Sequence, residues 1–335
     1  MKQLIHTTAN AALIGSILAP NLLPTQDQLA PRHELVTTAN ASLFTQAHFS
    51  EPLTAFSVGW TDPAGYDAAS DFLAPPLPPS GERYEYIEYP NAEAFLSDGS
   101  YDDLRAIGGD FKTVEATDSK TQRTIRNRGL RIVLDWDRIK DQPNWQQNYT
   151  QMLMQRIARN AFRRKLALAV AAGTGASLTW GSSADPDYDI ANQAKLSGDA
   201  SGVQPNSALW GLGAQLLRFS AYGAQATAGA FAGRSMTPAE AGGKIGLNAM
   251  VDASRYQTGT TKTSIVGSKV ILFTAQGSGQ NDPSNFKTAR GNAAGGGLRA
   301  VYVRQLSVKL WEIVVECYED EFCATTLGCR VLTIS

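Results

Sequence analysis

Histidine is the side chain that most often performs acid–base chemistry or binds a metal ion in proteins. This chain has three histidines, His6, His33 and His48, and all of them precede residue 50. None has a nucleophile or further ligands at the spacing of a recognised triad or metal motif. The sequence therefore predicts no catalytic residues, no metal site and no cofactor, and it indicates a protein that is not an enzyme.

Two short motifs imitate ligand-binding loops. The run Gly242 to Ile245 resembles the end of a phosphate-binding loop, but Ile245 stands where Ser or Thr should contact the metal ion. Three alternating aspartates match the first half of a calcium loop: Asp185, Asp187 and Asp189. Ile190 replaces the glycine that such a loop requires. The aspartates are better interpreted as a turn that leads into a helix near Ile190.

The three cysteines, Cys317, Cys323 and Cys329, lie within the last twenty residues, far in sequence from every histidine. An odd, small number of clustered cysteines does not fit the disulfide framework of a small secreted domain. We expect free thiols and assembly in a reducing compartment.

Charge is unevenly distributed along the chain. Among 335 residues the formal net charge is only −1, yet residues 1–100 hold three Lys or Arg against eleven Asp or Glu. Residues 151–170 hold five basic side chains and no acidic one. This asymmetry predicts two surfaces with different partners.

Prolines are concentrated in the first ninety residues. Ten of the fifteen lie there: Pro20, Pro24, Pro31, Pro52, Pro63, Pro75, Pro76, Pro78, Pro79 and Pro90. Because proline lacks a backbone donor and restricts the preceding residue, we expect neither a continuous helix nor a central strand. Residues 1–78 are predicted to form an extended arm that lies on another surface. A disordered tail is the alternative.

A long two-stranded hairpin is predicted next. Tyr84 and Tyr86 alternate with polar residues in its first limb, and the second limb covers Lys112 to Asp137. Four residues of the second limb share a face by period-two spacing: Leu130, Ile132, Leu134 and Trp136. The first limb is acidic and the second basic, so they could pair within one copy or between copies. An isolated hairpin needs a partner, although a solvated edge is the simpler alternative.

The clearest helix is predicted over Trp145 to Ala172, after Pro143. At 100° per residue, one side is cationic: Arg156, Arg159 and Arg163. The opposite side is apolar: Leu153, Ile157, Ala161 and Leu168. The arginine stripe suits a nucleic-acid backbone, a neighbour's carboxylates or plain solvation. Arg164 and Lys165 fall on the apolar side and must extend to solvent or pair.

Residues 173–297 are rich in small residues and indicate a separate subdomain. Within it we predict a helix near Ala208 to Tyr222 and a buried strand over Lys269 to Thr274. The remaining chain predicts a closing antiparallel sheet. Its strands are Ala300 to Val308, Leu310 to Tyr318 and Arg330 to Ile334, with an acidic turn at residues 319–321.

This order of parts resembles the tailed-phage major capsid proteins of the Hong Kong 97 fold. Local resemblance lies in the run Asn127 to Leu130, followed by Asp135 and Asp137 before the long helix. Trp180, the run Asp185 to Ile190 and Pro205-Asn206 are similar to the entry into the axial domain of such proteins.

The resemblance implies an α+β fold with four parts. These are an N-terminal arm (1–78), an extended β-hairpin loop (79–134), a peripheral domain with the spine helix (135–180 and 300–335), and an axial domain (181–299). It implies a virion protein, assembled in the host bacterial cytoplasm, that forms hexamers and pentamers with copies of itself around double-stranded DNA. Portal, scaffold and decoration proteins are further candidate partners, and no membrane is expected.

The residues predicted to form contacts between copies come from the two limbs of the hairpin: Glu85, Glu88, Arg123, Arg126 and Arg128. The stripe Arg156, Arg159 and Arg163 is the candidate surface toward the lumen or the packaged DNA.

Two alternatives remain open at this stage. An encapsulin-like compartment subunit would share the fold and enclose a cargo enzyme. A secreted β-rich binding protein would use the apolar run at residues 9–19 as a signal peptide, although that run is short and contains Asn10.

Overall fold

The computed structural model describes residues 48–78, 81–88, 105, 107–111, 119–276, 284–294 and 297–335. Most of the predicted arm and much of the hairpin lie outside the described residues. Residues Ser50–Ser335 form one compact unit.

Two short helices occupy the end of the proline-rich region, α1 (Glu51–Gly59) and α2 (Tyr66–Leu73). No continuous helix runs through the described part of this region, as expected, but the predicted extended conformation was wrong for these residues. Pro52 lies in the first turn of α1, where the missing N–H has no helical partner to lose. Before α2, the Asp62 carboxylate accepts the backbone N–H of Tyr66 at 2.6 Å and satisfies a free helix-end donor.

The predicted hairpin pairs within one chain. Strand β1 (Arg83–Glu88) runs antiparallel to β2 (Ser119–Thr124), with Arg83 opposite Thr124 and Glu88 opposite Ser119. The second limb is not continuous, however. It breaks at residues 125–126, and β3 (Asn127–Asp135) belongs to a different sheet. Leu130, Ile132 and Leu134 share a core cluster there, as predicted.

The long helix is confirmed at its predicted ends. After the single turn α3 (Trp136–Ile139), α4 runs over Trp145–Ala172. It ends at Gly173, where an added Cβ would lie 2.6 Å from the Val331 side chain. Trp136, predicted on the strand face, starts α3 instead because the Asp135 side chain caps that turn.

The first sheet is organised around one long strand. In it, β12 (Leu310–Cys323) pairs with β3, β10 (Phe286–Arg290) and β11 (Arg299–Gln305), all antiparallel. The predicted turn at residues 319–321 is wrong, because these residues continue the strand. Acidic residues suit a strand interior only when cationic partners compensate them, and such partners come from distant parts of the chain.

The second sheet has five strands in the order β4 (Thr174–Leu178), β13 (Arg330–Ile334), β9 (Lys269–Phe273), β5 (Ser207–Gly211) and β6 (Asn248–Asp252). Strand β9 is confirmed. The predicted closing sheet is wrong for β13, which pairs in parallel with β4. The helix predicted from Ala208 begins only at Leu212, because the apolar run before it is a fully buried strand.

The remaining elements surround this second sheet. They are α5 (Pro186–Ser201), α6 (Leu212–Gly223), α7 (Ala228–Ser235), α8 (Pro238–Lys244) and the ribbon β7 (Arg255–Thr258) with β8 (Thr261–Ser264). Asp185 caps α5, which confirms the turn-to-helix interpretation of the aspartates. Residues 242–244 form the last part of α8 and do not form a phosphate-binding loop.

Helix α4 contributes to the cores of both sheets. Its first half shares a cluster with the first sheet: Leu153, Met154, Ile157, Ile313 and Val315. Its second half shares a cluster that includes the second sheet: Phe162, Leu166, Leu209, Ile271 and Val331. Among the helices that the structure describes, none combines the length and apolarity needed to cross a bilayer.

Candidate functional site

The acidic triplet Glu319-Asp320-Glu321 lies at the centre of the candidate site. Side chains alternate along β12, so Glu319 and Glu321 point to one face of the strand and Asp320 points to the other. The first face meets helix α4, and the second meets the base of the β1–β2 hairpin. One strand thus touches both the hairpin, which was predicted to form contacts between copies, and the long helix, which was predicted to face the lumen or the DNA.

On the α4 face, the two glutamates bind arginines from two elements. Arg164 Nε lies 2.6 Å from Glu321 Oε1, and an Arg164 terminal nitrogen lies 3.5 Å from Glu319. Arg128 of β3 contacts the other oxygen of Glu321 at 2.9 Å. Buried carboxylates are stable only with such partners, so these contacts hold α4, β3 and β12 together.

Lys165 extends the same cluster into the core. Its side chain is fully buried, and its Nζ lies 3.6 Å from Asp71 and 3.8 Å from Glu319. Burial lowers the pKa of Lys165, and these carboxylates oppose that shift. Arg164 and Lys165 were predicted either to pair or to extend to solvent, and both form ion pairs.

On the opposite face, one carboxylate has three partners: two arginines that form ion pairs with it and one tyrosine that donates a hydrogen bond. Asp320 has only 3% of its side chain exposed; it lies 2.9 Å from Arg123 Nε and 3.7 Å from Arg126 Nε, and it accepts the Tyr84 hydroxyl at 2.8 Å. Burial, followed by this hydrogen bond, raises the pKa of Tyr84. The proximity of Phe322 to Tyr84 and Tyr86 adds an apolar contact beside it.

The five predicted interface residues therefore differ in position. Glu85 makes a surface pair with Lys120 at 3.5 Å, and Glu88 accepts the Tyr86 hydroxyl at 2.7 Å. Arg123 and Arg128 are committed to carboxylates of β12, whereas Arg126 keeps 67% of its side chain exposed. Sequence reasoning missed Asp320 and Glu321 as their partners, because nothing local links residue 320 to residue 123.

The three arginines of the helix stripe also differ. Arg156 and Arg163 are exposed and Arg159 is half-buried; Arg159 lies 5.3 Å from the centre of the Tyr66 ring, and Arg163 lies 4.0 Å from that of Tyr256. Aromatic faces attract guanidinium groups, so these contacts tie α4 to α2 and β7. The sequence carries no signal for either pair.

A cavity of about 470 Å³ lies between α1, α2, α4 and the first sheet. Its charged walls are already paired, through Asp67 with Arg299 and Asp71 with Arg290. Burial raises the pKa of the lining thiol Cys317 to about 12, so it is not an activated nucleophile. Among the described residues, no cluster of three or more His, Cys, Asp or Glu side chains is arranged to hold a metal ion.

Neither a protein-family model nor a curated protein sequence matches this chain. Its fold is similar to those of many solved structures, among them three from phages or a phage-related protein. A phage-related protein from Bordetella bronchiseptica RB50 is 16% identical with a TM-score of 0.60, over 85% of this chain and 97% of that one. A protein of Microbacterium phage Oxtober96 is 13% identical, with a TM-score of 0.51 and coverages of 82% and 92%. The capsid structure of cyanophage P-SCSP1u is 10% identical, with a TM-score of 0.50 and coverages of 79% and 87%.

At these identities the similarity establishes the fold, and the chain has an α+β fold of the kind found in phage capsids. The predicted fold class is thereby confirmed. A β-rich binding protein does not fit this mixture of helices and strands, so that alternative is set aside.

Proposed function

We propose that this chain is the major capsid protein of a tailed phage. Copies of it would form hexamers and pentamers and close into an icosahedral shell around double-stranded DNA. The observation that carries the proposal is a fold shared with the capsid structure of cyanophage P-SCSP1u over 79% of this chain and 87% of that one. In this role the protein is a structural component of the virion rather than an enzyme.

The proposed parts keep the bounds predicted from the sequence, although both sheets cross them: β10 lies in the first sheet, and β4 and β13 lie in the second. Residues 79–134 would reach a neighbouring copy, residues 135–180 and 300–335 would form the peripheral domain around α4, and residues 181–299 would form the axial domain. A two-stranded ribbon such as β1–β2 is marginal alone, so contact with another copy would stabilise it. Many modest contacts, repeated by symmetry, are sufficient for a closed shell.

The proposed contact with DNA is weak. Arg156 and Arg163 are exposed on α4, but Arg163 and the half-buried Arg159 lie against aromatic rings of the same chain. A nearly neutral chain offers few phosphate contacts. Confinement, rather than attraction, would hold the DNA against the shell.

Electron microscopy of the full-length protein, expressed alone and with its neighbouring phage genes, tests the proposal. We expect closed particles of uniform size that contain DNA when packaging proteins are present. An enzyme enclosed in place of a genome would indicate an encapsulin-like compartment. Monomers under every assembly condition would contradict the proposal.

The hairpin contact has its own test, which uses the surface pair of Glu85 and Lys120. Charge reversal in E85K is expected to lower particle yield severalfold while the melting temperature stays within about 2 °C, because exposed ion pairs contribute little to stability. The double variant E85K/K120E restores the internal pair with opposite polarity. If Glu85 or Lys120 also contacts charged residues of a neighbouring copy, the double variant assembles as poorly as the single one. Full recovery of particle yield would show that the pair matters only within the chain.

A further inference from the structure

The β1–β2 hairpin joins the body of the protein at residues 125–126, called here the corner, where the chain passes from one sheet to another. Its two strands form a sheet of their own, and β3, which follows directly, lies in the sheet of β12. Backbone bonds close the corner: Ile125 N–H donates to Glu82 O at 2.9 Å, and Glu319 N–H donates to Arg126 O at 3.0 Å. Two backbone hydrogen bonds are few, so the direction in which the hairpin points must also depend on side-chain contacts at this corner.

Three side chains from different sides of this corner converge on Asp320. Tyr84 comes from β1, Arg123 from β2, and Arg126 from the corner itself. Both strands of the hairpin are therefore bound to one carboxylate of the body. A triangle of contacts from two strands restrains rotation, which a contact to one strand would not do.

The hairpin also packs into a buried apolar cluster that includes Phe322, Leu77 and Ala289, but that packing is less directional than the contacts to Asp320. Phe322 lies 4.3 Å from Tyr86 and 5.3 Å from Tyr84, ring centre to ring centre. Aromatic packing tolerates sliding and tilting because its attraction has little directionality compared with a hydrogen bond. A charge-assisted hydrogen bond is short and directional, and it is stronger where water is excluded. With 3% of its side chain exposed, Asp320 meets that condition.

We infer that Asp320 is a positioning residue that locks the β1–β2 hairpin in one direction relative to the body. Only the consequence of this inference rests on the proposed function. A hairpin that is already ordered can bind a neighbouring copy without the loss of conformational entropy that ordering it on binding would cost.

Hydrogen exchange of the unassembled, full-length subunit tests the lock directly. Asp320→Asn keeps the shape and removes the charge, and it is expected to raise exchange of the β1 and β2 amides about tenfold or more. The matched control is Glu316→Gln, on the same face of β12 four residues earlier. Glu316 accepts the Tyr302 hydroxyl at 2.6 Å and an Asn127 amide N–H at 3.1 Å, within the first sheet. The control should leave the hairpin amides unchanged.

Unchanged exchange in Asp320→Asn, or an equal rise throughout the chain, would overturn the inference. Should that variant fail to fold, Tyr84→Phe removes a single donor, and a severalfold rise limited to β1 and β2 is expected instead.

Particle assembly then separates this inference from the proposed function. If the wild type forms no particles but Asp320→Asn loosens the hairpin, the lock stands and the capsid proposal fails. If the wild type assembles and the loosened variant assembles equally fast, the role of the lock in assembly is refuted.

Discussion

The two isolated ribbons of this fold, β1–β2 and β7–β8, are attached to the body in different ways. Each is a two-stranded antiparallel sheet of its own. The β1–β2 ribbon is bound through a buried carboxylate, Asp320, and a buried ring, Phe322. The β7–β8 ribbon is bound through Tyr256, stacked against Arg163, and a hydrogen bond from the Tyr66 hydroxyl to Arg255 O at 3.0 Å.

The difference shows how a marginal element can be either fixed or left adaptable. Most residues of β7–β8 are exposed, whereas Tyr84 and Tyr86 of β1 are buried against the body. Ribbons with few buried contacts open locally at low free-energy cost. We therefore expect β1–β2 to be the rigid ribbon and β7–β8 the mobile one.

The largest effect should come from Phe322→Ala. Phe322 is fully buried beneath both tyrosines of β1, so its truncation leaves a cavity and costs about 3–5 kcal/mol of unfolding free energy. Denaturant titration measures this loss, and hydrogen exchange should show it concentrated at β1–β2. The control Phe231→Ala removes a ring that is 78% exposed and should change stability by less than about 1 kcal/mol. Equal losses in both variants would contradict the comparison.

The elements that the sequence predicted well are those with strong local signals. Helix α4 has 28 residues of sustained pattern between Pro143 and Gly173, and both of its ends were predicted. Strand β9 is a short run of apolar residues, and β1 shows clear alternation. In each case the information lies within the element itself.

The elements that it missed depend on contacts between distant residues. Residues 319–321 were predicted as a turn because their cationic partners, Arg123, Arg128, Arg164 and Lys165, lie 154 or more positions earlier. Strand β5 read as a helix because a fully buried strand loses its alternation. For the candidate site, the basic hairpin limb and the arginine stripe were identified, but their partners Asp320, Tyr66 and Tyr256 could not be.

The second prediction concerns the strand on which the rigid ribbon is mounted. A Cβ at Gly129 of β3 would lie 2.8 Å from the backbone oxygen of Val315 in β12. Gly129→Ala must therefore push the two strands apart, at a cost of about 1–3 kcal/mol in thermal or denaturant unfolding. The matched control is Gly175→Ala in β4, where nothing lies within 4 Å of the new methyl group. That variant should be neutral or slightly stabilising. If Gly129→Ala is as stable as its control, the close approach of β3 to β12 does not exclude a side chain at residue 129.

A third prediction uses pH to probe the end of β12 beside the rigid ribbon. Burial raises the pKa of Cys323 from its ordinary 9.0 to about 11. The folded state then favours the neutral thiol, so this contribution to stability is intact below pH 9 and is lost as the pH rises toward 11. We expect the unfolding free energy of the wild type, measured in reducing buffer, to fall relative to Cys323→Ala by about 1 kcal/mol per pH unit or less in this window. Parallel pH profiles for the two proteins would contradict it.

The smallest effect is expected at the mobile ribbon, from Tyr256→Ala. The ring lies 4.0 Å from the Arg163 guanidinium, and a partly exposed contact of this kind contributes about 0.5–1 kcal/mol. Exchange of the β7 and β8 amides should rise severalfold, while those of β1 and β2 stay unchanged because no described contact joins the two ribbons through Tyr256. A matched variant, Arg163→Gln, removes the other partner and should give the same pattern, with a double variant no worse than either single one. A simultaneous rise at β1–β2 would show that α4 couples the ribbons, since Arg163 and Arg164 are neighbours and Arg164 binds Glu319 and Glu321 beside Asp320. In that case the two ribbons would not be independent of each other. The contact between β7–β8 and α4 would then contribute to holding β1–β2 in place.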